Sequence, residues 1–182
     1  MTIAEFLSSL QASGLANRIR ESLYLFPLIE STHVIGLTTV FGTIAIIDLR
    51  LLGIASTGRP FTRIADDILK WTWAAFALTA ATGLLMFITN ADVYYHNFYF
   101  QTKMTLLLLS GVNMLLFELT AGRSVHRWDK DKAAPLAGKT IAAVSLVLWI
   151  TIIFMGRWIG FTTTRAPFQS EPGVDIENLL PK

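Results

Sequence analysis

The stretch FPLIESTHVIGLTTVFGTIAIIDLRLL, residues 26–52, decides the fold class of this chain. Between its beginning and Asp48, only Glu30 and His33 are ionisable. About 20 mostly apolar residues are enough for an α-helix to cross a hydrocarbon core roughly 30 Å thick. We therefore predict a transmembrane helix here, entered at Pro27 and ended by Gly53.

Three further stretches have the same character, at residues 68–89, 98–120 and 140–161. The chain of 182 residues is 53% hydrophobic and only 15% charged, whereas a soluble domain carries charge on about a quarter of its residues. We predict an all-α fold, an integral membrane four-helix bundle that forms one domain over residues 26–161. Residues 162–182, with three prolines and mixed charges, are predicted to be an exposed C-terminal tail.

Residues 1–25 are predicted to hold a short amphipathic helix in the membrane interface. Ile3, Phe6, Leu7 and Leu10 fall on one helical face, and polar residues follow. A cleavable signal peptide is not expected, because the segment lacks a basic start and Glu5 interrupts its first apolar run. The alternative is a poorly ordered leader.

The basic residues predict how the helices are oriented across the membrane. Loops rich in lysine and arginine face the cytoplasm in most membrane proteins. The loops between the first and second helices and between the third and fourth, with their flanks, hold nine of the 15 basic residues, against six on the opposite side. We therefore expect both basic loops in the cytoplasm and both termini outward.

The composition excludes several kinds of site. The absence of cysteine rules out disulfides, thiolate metal sites and iron–sulfur clusters. The net charge of +2 is too small to indicate a nucleic-acid partner. No nucleophile–base pair, phosphate loop or carboxylate pair is recognisable, so no hydrolytic site is predicted.

Ionisable side chains within the apolar stretches are the candidate functional residues, because charges in the hydrocarbon region are costly. In the predicted topology, the outer half of the bundle holds five of them and forms a polar end: Glu30, His33, His96, Lys103 and Arg157. Neutral imidazole is a common axial ligand of haem iron, and helix bundles build cofactor sites from facing helices. Since the third histidine, His126, lies in a cytoplasmic loop, the sequence favours haem b between His33 and His96.

Other residues would complete such a site. Lys103 or Arg157 would pair with haem propionates, and Gly36 would leave room for the flat macrocycle. His33 is expected about 10 Å below the outer boundary, whereas His96 lies at or above it unless the third helix begins near Tyr94. Otherwise Met86 is the alternative second ligand, or the iron is five-coordinate.

Purely structural roles are the alternative for some of these polar residues. His33 would then hydrogen-bond Glu30 or Asn113 and hold the bundle together. At the other end of the first helix, Asp48 and Arg50 are predicted to form an ion pair.

Four segments carry a resemblance to known families: PLIESTHVIG at residues 27–36, DLRLLG at 48–53, TGLLMF at 82–87 and FQTKM at 100–104. They resemble an uncharacterised bacterial family of small four-helix membrane proteins. That family is similar in layout to the copper-resistance D-type (CopD-like) membrane proteins and, more distantly, to the HemJ-type protoporphyrinogen oxidases. Because that family is bacterial, the resemblance implies the bacterial inner (cytoplasmic) membrane, in which the outward termini predicted above would be periplasmic. It matches His33 to a first-helix histidine and Lys103 to the lysine that opens the third helix. The likeness to HemJ-type proteins implies haem b, whereas the likeness to CopD-like proteins implies copper.

The leading hypothesis is a haem b-binding membrane subunit that transfers electrons between an outward-facing redox partner protein, periplasmic or membrane-bound, and the quinone pool of the lipid bilayer. It would be an electron-transfer subunit rather than an enzyme on its own, and homo- or hetero-oligomer formation is left open. The first alternative is CopD-like copper or metal transport, which requires a polar path to both faces. Asn113 and Glu118 would contribute to that path. The second alternative is a porphyrinogen-oxidising enzyme.

Overall fold

A computed structural model describes residues 2–129 and 133–163, in which the chain forms seven α-helices, one 3-10 helix and no strand. The α-helices are α1 (Ile3–Gln11), α2 (Gly14–Glu21), α3 (Leu25–Leu52), α4 (Phe61–Thr89), α5 (Ala91–His96), α6 (Phe98–Leu119) and α7 (Leu136–Thr163). The 3-10 helix follows α6 at Gly122–Arg127. The predicted C-terminal tail lies outside the described residues from residue 164 onward.

Four of these helices, α3, α4, α6 and α7, are long and apolar enough to cross a membrane. They pack as a bundle, so the predicted all-α four-helix architecture is confirmed. Large apolar side chains cover the outside of the bundle. Leu108, for example, is 70% exposed. An apolar surface of this extent suits lipid rather than water. The chain is therefore a multi-pass, membrane-associated protein.

Two helices begin earlier than hydropathy predicted. α4 starts at Phe61 rather than Ile68, and α7 at Leu136 rather than Thr140. The first turns of α4 carry exposed charges such as Arg63 and Asp66. A helix accommodates these charges, but they lower the local hydropathy by which a membrane span is recognised. Hydropathy marks the part of a helix suited to lipid and leaves out its polar ends.

The N-terminal segment forms two helices where one was predicted. The helical conformation is interrupted at Ala12 and Ser13. The Ser13 side chain then caps α2 by accepting a hydrogen bond from the Ala16 amide. Ile19 of α2 is buried in a cluster with Ile88 of α4. α1 and α2 therefore dock on the end of the bundle, while their location in a membrane interface stays a prediction.

The four long helices make unequal contacts. α3 packs against α4 and α7, and α7 packs against α6. In the described part of the chain, α4 and α6 have no extensive backbone contact, and two aromatic contacts join them. Phe87 stacks on Phe100 near one end, with ring centroids 5.4 Å apart, and Phe61 meets Phe117 near the other at 5.7 Å. Among neighbouring long helices, α4 and α6 are therefore the pair without close backbone contact in the described residues.

Three apolar clusters follow one another along the bundle. We call the end at which α3 begins the His33 end, and the end at which α3 finishes the Arg50 end. The cluster of the His33 end contains Ala16, Ile19 and Ile88; the middle cluster contains Val40, Ala75, Trp149 and Ile152; and that of the Arg50 end contains Leu51, Phe61, Ala121, Trp128, Ala134 and Ala142. Polar groups lie between these clusters.

The predicted ion pair between Asp48 and Arg50 is wrong. Arg50 is 3% exposed and donates hydrogen bonds to the carbonyl oxygens of Arg59 and Asp129, both at 3.1 Å. Residues two apart on a helix point to nearly opposite sides, so the two side chains diverge. Arg50 instead ties the α3–α4 loop to the segment after the 3-10 helix.

Candidate cofactor site at the His33 end

The imidazole of His33 is held by α4. Its Nδ1 atom lies 3.0 Å from the carbonyl oxygen of Thr79 and 3.1 Å from the hydroxyl oxygen of Thr82. A carbonyl oxygen can only accept a hydrogen bond, and the Thr82 hydroxyl already donates to backbone carbonyls of α4. In this arrangement Nδ1 carries the proton, so in the neutral ring the lone pair is on Nε2.

Two glycines allow the close approach behind this contact. A Cβ atom on Gly83 would stand 3.0 Å from Cε1 of His33, and one on Gly36 would stand 2.5 Å from the Thr79 hydroxyl oxygen. The space beside Gly36, where the sequence suggested room for a macrocycle, thus holds the Thr79 side chain. Gly36 serves the contact between α3 and α4.

Lys103 approaches from α6. It lies within electrostatic range of His33, and its Nζ atom would stand 3.4 Å from a Cβ on Gly156 of α7. Among the residues that the structure describes, no hydrogen-bond acceptor or ion-pair partner of Nζ is found. As far as the described residues go, the site therefore contains an ammonium group without a counter-charge.

An aromatic group, Phe87, Tyr94 and Phe100, covers the space beyond His33 and Lys103. Their ring centroids lie 5.4 to 6.4 Å apart, and they join α4, α5 and α6. Phe87 follows Gly83 by one helical turn, and Phe100 precedes Lys103 by almost one. The group lies between the pair His33 and Lys103 and the end of the bundle.

Glu30 acts on this aromatic group rather than on His33. Burial raises the pKa of the Tyr94 phenol, and the Glu30 carboxylate raises it further by opposing a second negative charge. Glu30 itself is exposed on α3. His33 therefore has two threonines as partners, and neither Glu30 nor Asn113, the two partners considered from the sequence, is one of them.

The structure does not bring His96 and Arg157 to this site. His96 ends the short helix α5, separate from α6, and its side chain is 68% exposed. Its Nδ1 atom contacts the Asp92 carbonyl of its own helix at 3.0 Å. The Arg157 guanidinium lies over the Phe161 ring on α7, 5.0 Å from its centroid.

Met86 is better placed than His96 as a second ligand. It follows Thr82 by four residues and Thr79 by seven on α4, so the three side chains share one face of the helix. That is the face on which His33 is bound, and Met86 is half-buried there.

Sequence reasoning missed the two threonines and the role of Tyr94. Thr79, Thr82 and Met86 recur on one face of α4, and this periodicity was a usable signal. In the sequence, Thr82 and Gly83 stand out only as part of the family-like segment at residues 82–87. The place of Tyr94 depends on the turn between α4 and α6, for which the chain carries no comparable pattern.

Comparison with known proteins identifies a family and no relative of known activity. The chain belongs to the DUF6644 family, a family of unknown function whose sequence profile matches residues 18–162. No curated protein and no solved structure matches it. The matched range contains all the candidate site residues, whereas the likeness to CopD-like and HemJ-type proteins stays a prediction.

Proposed function

We propose that this DUF6644 protein binds one haem b at His33 and transfers electrons between an outward-facing redox partner and the membrane quinone pool. The observation that carries the proposal is the hydrogen bond from His33 Nδ1 to the Thr79 carbonyl oxygen. Histidines that ligate metals nearly always donate their other ring N–H to such an acceptor, which fixes the ring and its tautomer. The Thr79 carbonyl oxygen gives His33 this arrangement.

Lys103 supports an anionic ligand. An unpartnered ammonium group in a membrane-spanning helix is costly, and such residues usually have a counter-charge. Lys103 is five residues into α6 and His33 eight residues into α3, or about 8 and 12 Å along the respective helices. Both residues therefore lie inside the spanning part of their helices, within reach of the same end of the bundle. Lys103 would pair with a propionate.

The lack of close backbone contact between α4 and α6 supports a flat ligand between them. Gly36 offers no room, but the backbones of α4 and α6 stay apart between their aromatic contacts. His33 would ligate the iron, and Met86 is our candidate for a second ligand. Haem supplies one-electron chemistry that these side chains lack.

Orientation and partner are part of the same proposal. The basic loops lie at the Arg50 end, so the positive-inside rule puts the His33 end outward. A haem there would be close to a periplasmic donor or acceptor, and the lipid-facing sides of α4 and α6 would be open to quinone.

The middle of the bundle argues against metal transport. Val40, Trp149 and Ile152 are buried there, and half-buried Leu106 and Leu107 pack against them. Asn113, a residue of the polar path that transport would require, donates to the Ile141 carbonyl oxygen at 3.1 Å, and Glu118 is exposed. A porphyrinogen-oxidising enzyme would share the haem site and differ by turnover of a tetrapyrrole substrate.

The test is a visible spectrum of the protein purified in mild detergent from haem-replete cells. The proposal expects a sharp haem b α-band after dithionite reduction. His33→Gly should lose it, and added imidazole should restore it by occupying the vacated space. His96→Ala is the matched control and should keep the band.

Further variants separate the roles. Met86→Leu should convert a low-spin spectrum to a high-spin one if Met86 is the second ligand. Lys103→Gln should weaken haem retention. It should also lower the midpoint potential of the haem by on the order of 50 mV, because a nearby positive charge is lost. A colourless, folded wild-type protein would reject haem, and bound copper in that protein would favour the CopD-like alternative.

A further inference from the structure

A second polar group lies near the Arg50 end and has no part in the proposed haem site. Asp48 of α3 is 5% exposed, and its Oδ2 atom is buried without a hydrogen-bond partner in the described part of the chain. The Ser145 hydroxyl of α7 is the polar group that faces the carboxyl. Ser145 is itself buried.

Among the residues that the structure describes, no cation neutralises this carboxyl. Arg50, two residues along α3, is bonded to two backbone carbonyls elsewhere. On α7, Lys139 precedes Ser145 by six residues, about 9 Å along the helix, and Arg157 lies near the other end. The charged residues of α4, which are Arg63, Asp66, Asp67 and Lys70, are exposed, as is Glu118 of α6. Within the described residues, Asp48 has no ion pair.

Apolar clusters flank Asp48 along the bundle. Toward the His33 end lies the middle cluster, with Val40 and Trp149, and toward the Arg50 end lies the cluster with Leu51 and Ala142. An ionised carboxylate in such surroundings, with one hydroxyl as its facing polar group, would be strongly unfavourable. A neutral carboxylic acid needs no counter-charge and fits the site.

We propose that Asp48 is a proton-binding site within the membrane bundle, neutral at rest and able to exchange its proton with water. When the proton leaves, it passes to a water molecule that reaches the carboxyl, and the resulting carboxylate accepts a hydrogen bond from the Ser145 hydroxyl. No electron moves in this step. The inference does not depend on haem, so either proposal can fail alone.

Infrared spectroscopy of the full-length protein in detergent tests this directly. The wild-type spectrum minus that of Asp48→Asn should contain the C=O stretch of a protonated carboxylic acid at neutral pH. Glu118→Gln, which alters an exposed carboxylate, should leave the band unchanged. If the wild type shows only ionised carboxylates at neutral pH, the proposal is wrong.

Deuterated buffer distinguishes a proton site from a structural hydrogen bond. In the folded protein the band should shift to lower frequency as the acid proton exchanges, and it should disappear at alkaline pH. A band that neither shifts nor titrates while the protein stays folded would mean a locked structural acid and would overturn the proposal. Ser145→Ala should move the same band, which identifies Asp48 even if Asp48→Asn does not fold.

Discussion

Gly36 of α3 lies directly against Thr79 of α4, so that a Cβ atom on Gly36 would stand 2.5 Å from the threonine hydroxyl oxygen. The backbone of the same threonine accepts the hydrogen bond from His33. One close helix contact therefore sets both the spacing of α3 and α4 and the position of the imidazole. Small residues at such contacts are typical of membrane helix pairs.

Gly36→Ala should destabilise the bundle, because the added methyl group overlaps the Thr79 hydroxyl. Overpacking of this kind costs about 1–3 kcal/mol, measurable as a lower free energy of unfolding in mixed micelles. Thr79→Ala in the same chain should recover much of the loss. Gly42→Ala is the control, since nothing lies within 4 Å of its added Cβ. Equal effects of Gly36→Ala and Gly42→Ala would contradict the contact.

Gly83→Ala should act on the imidazole rather than on helix spacing. The new Cβ would stand 3.0 Å from His33 Cε1 and 3.4 Å from Nδ1, so the ring must move away from the Thr79 carbonyl. If His33 binds haem, the variant should retain less of it per folded protein and show an altered α-band. Gly111→Ala, whose Cβ meets nothing within 4 Å, should retain wild-type haem content; a matching loss there would make the Gly83 effect nonspecific.

Asp129 should stabilise the start of α4. Its carboxylate accepts hydrogen bonds from the Thr62 amide at 2.8 Å and the Thr62 hydroxyl at 2.9 Å. Asp129→Ala should lower the free energy of unfolding by about 1–2 kcal/mol, as does the loss of a helix cap. Thermal unfolding should show this as a lower midpoint temperature. Asp129→Asn should cost less because it keeps an acceptor. Asp67→Ala removes an exposed acid of α4 and should change little; a similar loss would indicate a general charge effect.

Tyr94 should titrate at higher pH than an ordinary tyrosine. Burial, and then Glu30, raise its pKa, so the neutral phenol stabilises the fold. This contribution is complete below the ordinary tyrosine pKa of about 10 and is lost as the pH rises through the raised pKa. The ultraviolet tyrosinate signal of the wild type minus that of Tyr94→Phe reports this titration.

The same difference spectrum tests the cause of the raised Tyr94 pKa. Glu30→Gln should move the titration to lower pH, since it removes the nearby negative charge. Glu118→Gln, at the other end of the bundle, should not move it. An unshifted titration in Glu30→Gln would assign the whole effect to burial.

Only some of the candidate residues named from the sequence lie at the site. His33 and Lys103 do lie near each other, because an ionisable residue in an apolar helix tends to face the bundle interior. His96 was expected beside them, but α5 is a separate helix that turns this side chain outward. Asp48 was read as half of an ion pair, whereas its neighbour is Ser145 of α7, nearly 100 residues away in the chain.

The sequence by itself determined the four spans, because hydropathy and helix formation depend on residues close together in the chain. It also marked which residues were too polar for lipid. Only the tertiary structure decided which helix faces meet: that His33 is held by Thr79, that Lys103 lies against Gly156, and that Asp48 lies between apolar clusters. These contacts join distant parts of the chain, and they depend on how side chains of α3, α4, α6 and α7 fit against one another. No local pattern encodes that fit.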